Sequence, residues 1–533
     1  MKNKAHSRCC VARRPSNEVA LVPDQTSMPV WRASVRMALV SAAGVVAAGL
    51  IATGLAGCAD MSGIAPQSSL RDAHSLGLAP VPADAAPQVS LSAEWWREFG
   101  DETLNRLVAQ SLQDSPSLKL AQARLARAQA ATEVASAARL PQLNGQLDLT
   151  RQRYTANGAV PPPLAGSISE SGTAQLSASW ELDFFGKNRA ALDAALGSAN
   201  AAWADAQAAR VLLASQVART YFQLVRLNEQ AGVARRTLAQ REETLKLVQD
   251  RVNAGLDTRL ELRQSEGGLP ESRLQLETVL EQMALTGNAL KALTGQPNSD
   301  QVLVPSAQSA IKNVALAAAI PADLLGRRAD IAAARWRVEA SSKDVVNAKT
   351  QFYPTINLVA FAGFSSIGLS QLLNSGSQQW GVGPALRLPI FDAGRLRANL
   401  RGKTADLDAA VESYNAAVIE AVRDVADQVA SSQAIVRQQA EQGAAQRAAE
   451  DAYQIAVQRY KAGLGNYLNV LTAETSVLAQ RRLAVDLAGR ALDTQVALMR
   501  ALGGGYQQQA ASSAEGGAGG VSATKTIANN SGT

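Results

Sequence analysis

The chain has very few cysteines, histidines and aromatic residues, and each shortage excludes a class of protein. Its 533 residues include three cysteines and two histidines, and only 4% are aromatic. Because Cys9, Cys10 and Cys58 all lie near the amino end, the rest of the chain can form no disulfide framework and no cysteine-based metal site. With only His6 and His74 available, we predict neither an enzyme nor a protein with a metal ion or another bound cofactor.

The first 57 residues have the features of an export signal. An uncharged apolar run from Met37 to Cys58 follows Arg32 and Arg36, which is typical of a secretory signal peptide. The run is also long enough for a single membrane-spanning helix. Its ending, Leu-Ala-Gly-Cys, favours the signal because it resembles the lipobox of bacterial lipoproteins, in which the cysteine is lipidated and becomes the new amino terminus. We therefore predict a leader at residues 1–57 and a covalent lipid on Cys58.

The basic charge of the chain belongs mostly to this leader. Residues 1–57 hold seven Lys or Arg and two Asp or Glu, so the chain without them has a net charge of +1 in place of +6. The isoelectric point of about 9.2 therefore gives no evidence for a nucleic-acid partner, and we expect none. Residues 58–92 are rich in Pro, Ala and Ser and predict a flexible lipidated tether, and residues 505–533 predict a disordered tail.

Two segments have the period-two alternation of β-strands. In the first, residues 141–184, apolar residues such as Leu143 and Leu147 alternate with polar ones, and a Gly/Pro/Ser-rich loop divides the segment. The second, residues 354–391, has the same pattern. A helical pattern precedes each segment, from Asp101 to Ala138 and from Asp330 to Lys349. We predict two β-hairpins, each with one apolar face.

A very long helical pattern follows each hairpin. The first runs from Lys187 to Asn253 and would be about 100 Å long as a single helix at ~1.5 Å per residue. Small and apolar residues recur in it every three or four positions, which predicts coiled-coil packing. The second starts after Gly394. Return helices are expected to reach Leu293 and Leu502, and the first should kink or break at the Gly-Gly-Leu-Pro stretch ending at Pro270.

The chain repeats one phrase where the two long helices end. Arg251–Glu266 reads RVNAGLDTRLELRQSE and Arg459–Glu474 reads RYKAGLGNYLNVLTAE, with Arg, Ala-Gly-Leu and the final Glu at the same offsets. A glycine after a helix tolerates the left-handed conformation that ends it. The whole unit of helix, hairpin, long helix, tip and return helix is therefore duplicated. We predict repeat 1 at residues 93–300, and a connector with repeat 2 at residues 301–504.

The predicted strands have the length and the apolar face of membrane-spanning strands. About ten residues are enough for a β-strand to cross a bilayer. Only a closed barrel satisfies every backbone group in lipid, and four strands cannot close a barrel of usable width. We therefore predict a mixed α/β membrane protein in which several copies of the chain contribute strands to one barrel and long helices to one tube.

Motifs along the chain resemble those of one family of transport proteins. They include WWREFGDETLNRLVAQSL at Trp95–Leu112, PADLLGRRADI at Pro321–Ile331, the turns FFGKNR and FDAGR, and both AGL tips. In order and in their duplication they resemble the outer-membrane factors of resistance-nodulation-division efflux systems, in the lipoprotein branch called the NodT family, which is related to TolC. The resemblance covers residues ~90 to ~504, nearly all of the chain after the leader.

This resemblance implies a fold, an assembly and partners. The fold is a trimeric TolC-like duct, with four transmembrane strands per protomer in a shared 12-stranded barrel and the long helices in a periplasmic α-barrel. The duct lies in the outer membrane of a Gram-negative bacterium, and Ala59 after the lipidated cysteine favours that membrane. The implied partners are a periplasmic membrane-fusion adaptor and an inner-membrane resistance-nodulation-division pump. The implied function is a passive exit duct for small toxic compounds or drugs.

The candidate functional residues lie at the two tips. The predicted adaptor-docking residues form the exposed ends of the helices: Gly255, Leu256, Asp257, Gly463, Leu464, Gly465, Asn466 and Tyr467. The predicted gate of the periplasmic aperture comprises Asp257, Glu261, Leu468 and Thr472. Some relatives have an Asp where this chain has Thr472, so an acidic gate is expected from Asp257 and Glu261 of the first copy. By resemblance, Leu468 could line a hydrophobic constriction instead.

Two other functions are compatible with the sequence. The same fold could form the outer-membrane duct of an ABC-driven type I secretion system, because a duct recognises its cargo only weakly. A periplasmic coiled-coil scaffold lipoprotein is a second alternative, from a different class. It requires the apolar faces of the strands to pack on protein and not on lipid.

Overall fold

The computed structural model describes residues 61–71, 92–298, 305–312 and 328–506. Within them the chain forms long helices and one antiparallel sheet. The helices of this part are α1 (Glu102–Asp114), α2 (Pro116–Ala137), α3 (Lys187–Asn253), α4 (Arg259–Leu293), α5 (Ala329–Thr350), α6 (Arg395–Lys461) and α7 (Tyr467–Ala501). The strands are β1 (Gln142–Arg153), β2 (Ile168–Leu182), β3 (Thr355–Ile367) and β4 (Gln378–Arg387). The predicted leader and Cys58 lie outside the described residues.

The four strands form one sheet in the order β1-β2-β3-β4, and each pair is antiparallel. The register places the apolar residues of all four strands on one face. Across the sheet, Leu143 lies opposite Ala178, Ala178 opposite Ala360, and Ala360 opposite Val382. These apolar side chains are largely exposed in the protomer, with Leu143 at 71% and Trp380 at 75%. The sequence prediction of hairpins with one apolar face is therefore confirmed.

The last strand is shorter than its apolar pattern suggests. β4 ends at Arg387, so residues 388–391 of the predicted second hairpin lie beyond it. Pro389 explains the early end, because proline has no N–H to donate to a strand ladder. A second proline, Pro384, lies within β4 opposite Leu358. β4 is an edge strand of this sheet, which is where proline is tolerated.

The helices α3 and α6 have 67 residues each, and the return helices α4 and α7 have 35 each. α3 has the bounds that the sequence pattern predicts. It packs against α2, α4, α5 and α7, whereas α6 packs against α5 and α7. None of the described helices combines the length and the apolar composition needed to cross a membrane.

The largest core cluster surrounds the middle of α3. Trp95, Trp96 and Phe99 form a short 3-10 turn and are buried against α1, α3 and α7. Asp101 ends this segment, and its carboxylate accepts the N–H groups of Thr103 and Leu104 as the cap of α1. The core thus joins the N-terminal part of the chain to both repeats.

Three segments differ from the sequence prediction. The helix expected from Asp101 to Ala138 is broken, because Ser115 is extended and the following proline opens α2 at its first position. Residues 61–71 of the predicted flexible tether lie along α6, where the N–H groups of residues 67 and 68 donate to Asp408 at 2.9 and 3.0 Å. At the other end, Tyr506 of the predicted tail packs on Trp203 with 5.8 Å between ring centroids.

Two sheet glycines allow a matched test of the register. A Cβ on Gly363 would lie 2.2 Å from the carbonyl oxygen of Ala174 on β2, whereas a Cβ on Gly383 of β4 would meet no atom within 4 Å. We expect Gly363→Ala to lower the free energy of unfolding by about 1–3 kcal/mol because the backbone of β2 must move. Gly383→Ala should change it by less than about 0.5 kcal/mol. Guanidinium unfolding of the detergent-solubilised protein, followed by tryptophan fluorescence, measures both; equal effects would contradict the register.

Candidate gate and docking tips

Both tips turn by the same backbone geometry. After α3, Gly255 adopts the left-handed conformation with φ 68°, and the N–H of Leu256 donates to the carbonyl of Arg251 at 2.9 Å. After α6, Gly463 has φ 74° and Leu464 makes the equivalent 2.8 Å bond. This helix-ending motif leaves the leucine after each glycine exposed, at 65% for Leu256 and 69% for Leu464. Two apolar side chains therefore protrude from the ends of otherwise polar helices.

The return helices begin with different caps. In the first copy, Thr258 and Glu261 form a capping box in which the Glu261 carboxylate accepts the N–H of Thr258 at 3.0 Å. The bond from the Thr258 hydroxyl lowers the pKa of Glu261 below its ordinary value. In the second copy, the side chain of Asn466 accepts the N–H of Asn469 at 3.1 Å. Glu261 and Asn466 therefore start helices in addition to any role that they have at the aperture.

Asp257 belongs to a cross-repeat contact, which we name the tip cluster: Arg251, Asp257 and Tyr460. Arg251 of α3 reaches Asp257 through Nε at 2.9 Å and through Nη2 at 3.3 Å. The buried Tyr460 of α6 donates its hydroxyl to the same carboxylate. Arg251 also donates to the carbonyl of Tyr460 at 3.0 Å, with its guanidinium 4.5 Å from the centroid of the Tyr460 ring. The cluster attaches the first tip to the long helix of the second repeat.

The charge state of Asp257 follows from these contacts. Burial by itself raises the pKa of the Asp257 carboxyl, but the bonds from Arg251 and Tyr460 outweigh it, so the pKa lies below its ordinary value of 3.8. Burial and the neighbouring carboxylate raise the pKa of the Tyr460 hydroxyl, which keeps its proton and donates it to Asp257. At neutral pH the cluster therefore holds an ionised carboxylate between two donors.

Tyr467 is not an exposed docking residue, which corrects the sequence prediction. Its side chain is buried, at 5% exposure, and its ring lies 6.0 Å from that of Tyr460. Tyr467, Val470, Glu474 and Val477 follow one another at steps of three and four residues and form the buried face of α7. This heptad spacing was visible in the sequence and could have revealed the burial. Asp257 likewise points into the tip cluster, with only 10% of its side chain exposed.

Leu468 and Thr472 lie on the opposite, exposed face of α7. They are one turn apart, and the Thr472 hydroxyl donates to the carbonyl of Leu468 at 2.9 Å. Leu468 is 58% exposed. Because no contact within the described residues covers this face, both side chains remain available to line an aperture.

The Gly-Gly-Leu-Pro stretch does not break the first return helix, so of the predicted kink or break the break is wrong. α4 is continuous through Pro270, and the stretch instead binds Arg241 of α3. The Arg241 guanidinium donates to the carbonyl of Gly268 at 2.8 Å, and a Cβ on this glycine would lie 3.4 Å from Nη1. Arg241 also contacts the buried Glu474 of α7 at 3.3 Å. In the second copy Ala449 stands at the position equivalent to Arg241, so no such binding position is needed there.

The buried carboxylate of Glu474 completes this contact. Burial raises the pKa of Glu474, and the Arg241 guanidinium opposes the shift. The pair connects α3 to α7 two to three turns from the tip cluster. No group of three or more His, Cys, Asp or Glu side chains suited to a metal ion occurs within the described ranges.

Comparisons with known proteins agree with this architecture. Residues 107–296 and 320–504 match the family of outer membrane efflux proteins. The multidrug resistance outer membrane protein MdtQ of Escherichia coli O157:H7 is 34% identical over 465 residues, which cover 84% of this chain and 96% of MdtQ. MdtP of Escherichia coli K12 is 33% identical over 431 residues, covering 78% of this chain and 87% of MdtP.

A solved structure shows the same fold. The outer membrane protein VceC of Vibrio cholerae is 37% identical, with a TM-score of 0.73 over 78% of this chain and 100% of VceC. These similarities confirm the predicted TolC-like fold, the outer-membrane location and the role as an efflux exit duct. They do not support the scaffold alternative, because the matching family is that of outer membrane efflux proteins. The chain belongs to the outer membrane efflux protein family.

Proposed function

We propose that three copies of the chain form one passive duct that conducts small toxic compounds out of the cell. The observation that carries this proposal is the open sheet: β1 and β4 are its two edges, and its apolar face is exposed. Lipid offers no hydrogen-bond partner to such edges, so neighbouring copies must pair them. Three copies supply 12 strands, an even number within the range of ~8 to 26 typical of bacterial barrels.

The cargo and the energy source follow from the same architecture. A duct contains no step that consumes energy, so an inner-membrane pump of the resistance-nodulation-division type would drive transport through a periplasmic adaptor. MdtQ and MdtP are named for multidrug resistance, which supports drugs and similar compounds as cargo. An ABC-driven secretion system would use the same duct. The names of the relatives favour efflux over secretion.

The tip cluster would keep the duct closed at rest. It ties the first tip to α6 of the second repeat through one carboxylate, so the two tips of a protomer cannot separate while it is intact. Leu468 and Thr472, exposed on α7, and Glu261 at the start of α4 would line the narrow mouth. Docking of the adaptor on Leu256 and Leu464 would pull the tips apart, since exposed apolar side chains are contact points for apolar partners.

The N-terminal segment supports a lipid anchor on Cys58. Residues 61–71 run along α6 toward the sheet: the backbone N–H of Arg71 donates to the side-chain oxygen of Asn415 at 3.0 Å, the N–H groups of residues 67 and 68 donate to Asp408, and Met61 packs on the core cluster that contains Leu400. The segment therefore leads from the core toward the strands that enter the membrane. A lipid on the cysteine that precedes Met61 would enter the same membrane.

The tip cluster yields a test of the closed state. Tyr460→Phe removes a hydrogen bond to a charged acceptor, a loss of about 1.5 kcal/mol, and should favour the open state about tenfold. Asp257→Asn should act in the same direction. Tyr414→Phe is the matched control, because Tyr414 lies on the same helix far from the tip and packs against Ile331, Val418 and Ala421, outside the cluster. Single-channel conductance in planar bilayers measures opening; equal closure in Tyr460→Phe and wild type would exclude this gate.

The pH dependence of closure has a definite sign. Because the pKa of Asp257 in the folded protein lies below 3.8, the stability that this carboxylate provides is present above its unfolded pKa. It is lost only as the pH falls through the lower, folded value. We expect conductance to stay low between pH 7 and pH 5 and to rise only in stronger acid; opening already at pH 6 would point to another titrating group.

The exposed leucines yield a test of docking. We expect the double change Leu256→Asp and Leu464→Asp to raise drug susceptibility to nearly that of a deletion strain, since a charge cannot enter an apolar contact without cost. Each single change should have a smaller effect. Heat-resistant trimers must persist at wild-type amounts, so that loss of transport reflects docking and not folding. Full resistance in the double variant would contradict docking at these tips.

Mass spectrometry of the purified protein tests the lipid anchor. We expect the mature chain to begin at residue 58 and to carry the added mass of a covalent lipid. Cys58→Ser should remove this mass and leave the signal segment uncleaved at that position. An unmodified Cys58 in the wild-type protein would rule out the anchor.

A further inference from the structure

A deep groove lies between α3 and α7 near the middle of α3. Its volume is about 850 Å³, within the range of cavities that hold drug-sized molecules. We name it the α3–α7 groove and define it by the residues that the argument uses: Leu212, Arg219, Arg226, Leu483, Arg490 and Arg500. The tip cluster and the Arg241 contact lie farther along the same pair of helices and are separate from it.

The groove lies on the side of α3 opposite the main core. Val217 and Tyr221 turn toward the tryptophan-containing 3-10 turn and α1, whereas Arg219 and Arg226 turn away from them. In a duct, an extra layer of chain on the inner side would fill the bore, so the side covered by α1 must be the outer one. The groove then faces the bore. This step rests on the proposed function, because only in a closed duct does the helix layer have an inner side.

The charges of the groove are not balanced. It contains four arginines and two aspartates, and both aspartates are already bound. Arg219 reaches Asp493 at 2.6 Å, and Arg226 reaches Asp486 at 3.6 Å. Of the other two arginines, Arg490 has no carboxylate partner in the described part of the chain; its contact there is a 3.5 Å bond to the amide of Gln438.

The remaining arginine, Arg500, has a distant carboxylate partner. It lies 4.0 Å from Asp424, which is shared with Arg328 at 3.5 Å and with Arg423 at 4.0 Å. Arg328 and Arg423 also pair with Asp330 and Glu420, so these charges balance and the surplus of the groove is Arg490. Arg490 attracts anions into the groove, because positive charge in a concave surface raises the local anion concentration.

An apolar side chain lies near the unpaired arginine. Leu483 is 45% exposed and precedes Arg490 by seven residues, which is two turns on the same face of α7. Leu212 of α3, 53% exposed, lies at the far end of the groove, because the Arg219–Asp493 and Arg226–Asp486 pairs place it level with Arg500, roughly 25 Å from Leu483 at ~1.5 Å per residue. Gly489 leaves room for Arg226 to lie flat on α7, since a Cβ at this position would lie 2.7 Å from the arginine Cδ. The groove thus presents a cationic group beside an open apolar surface.

We infer that the α3–α7 groove binds organic anions with an apolar body, such as aromatic carboxylates, as they move along the duct. Arg490 receives the carboxylate, and Leu483 contacts the ring. A carboxylate supplies the charged partner that Arg490 lacks, and the apolar body covers Leu483, which is otherwise partly exposed to water. Binding is weak, because both the arginine and the leucine remain partly exposed, and weak binding allows release toward the outside.

Equilibrium dialysis of the full-length protein in detergent tests this site with 1-naphthoate as the anion and 1-naphthylmethanol as its neutral analogue. We expect 1-naphthoate to bind more tightly than the alcohol. Arg490→Glu should weaken binding of 1-naphthoate about fivefold, the upper range for a partly exposed ion pair, and leave the alcohol unaffected. Arg106→Glu is the matched control, because it makes the same charge change on the exposed surface of α1, on the other side of the wall.

Two results would overturn the inference: equal affinity for 1-naphthoate and the alcohol, or unchanged binding of 1-naphthoate in Arg490→Glu. Conductance is measured in parallel with the reconstituted Tyr460→Phe variant, because the wild-type tips are expected to be closed. If the duct conducts ions but shows no preference for 1-naphthoate, the binding site is excluded and the proposed function is unaffected. A protein that binds 1-naphthoate through Arg490 but never conducts would contradict the duct and keep the site.

Discussion

The hydrogen-bonding requirement of the backbone in lipid determines the rest of this structure. Four strands with an apolar face leave two edges, at β1 and β4, whose outward N–H and C=O groups have no neighbouring strand among the described residues. Water can satisfy such edges, but lipid cannot. The protein therefore depends on other copies of itself, and its long helices serve a shared wall. A single protomer is therefore only one part of the barrel, which explains why so many apolar side chains of its sheet are exposed.

The helical part meets a different constraint, because helices of 67 residues have no compact core of their own. The surfaces along which neighbouring helices pack, their seams, are filled by small and apolar residues. A charged side chain within such a seam therefore needs a group that it can bind. Arg210 of α3 lies 5.9 Å from the ring of Trp96, and Arg241 binds both Gly268 and Glu474. Such contacts fix the rotation and register of neighbouring helices, which alanine-rich packing alone specifies weakly.

Periodicity revealed the elements, whereas contacts between distant residues stayed hidden. The bounds of α3 and the apolar face of the sheet follow from spacing along the chain, so the sequence predicts them well. The bond between Tyr460 and Asp257 joins residues of different repeats, and no local pattern signals it. The binding of Arg241 was missed for the same reason: Pro270 predicts a helix break locally, but the continuous helix and its arginine are tertiary features. By contrast, the burial of Tyr467 could have been predicted from the sequence, because its position fits the heptad spacing of the buried residues of α7.

The duplication itself explains where these polar contacts occur. Two identical repeats would make every seam between helices equivalent, and no seam would be preferred for opening. In this chain the copies have diverged at complementary positions. Asp257 corresponds to Gly465 in the second copy, and its partner Tyr460 corresponds to Val252 in the first. Arg241 corresponds to Ala449, and its partner Glu474 lies in the other copy. Each contact thus needs one residue from each repeat, which places the polar bonds on the α3–α7 and α3–α6 contacts within a protomer. In the proposed gate these bonds hold the two tips of one protomer together, so the contact within the protomer is the one that must break before the tips separate.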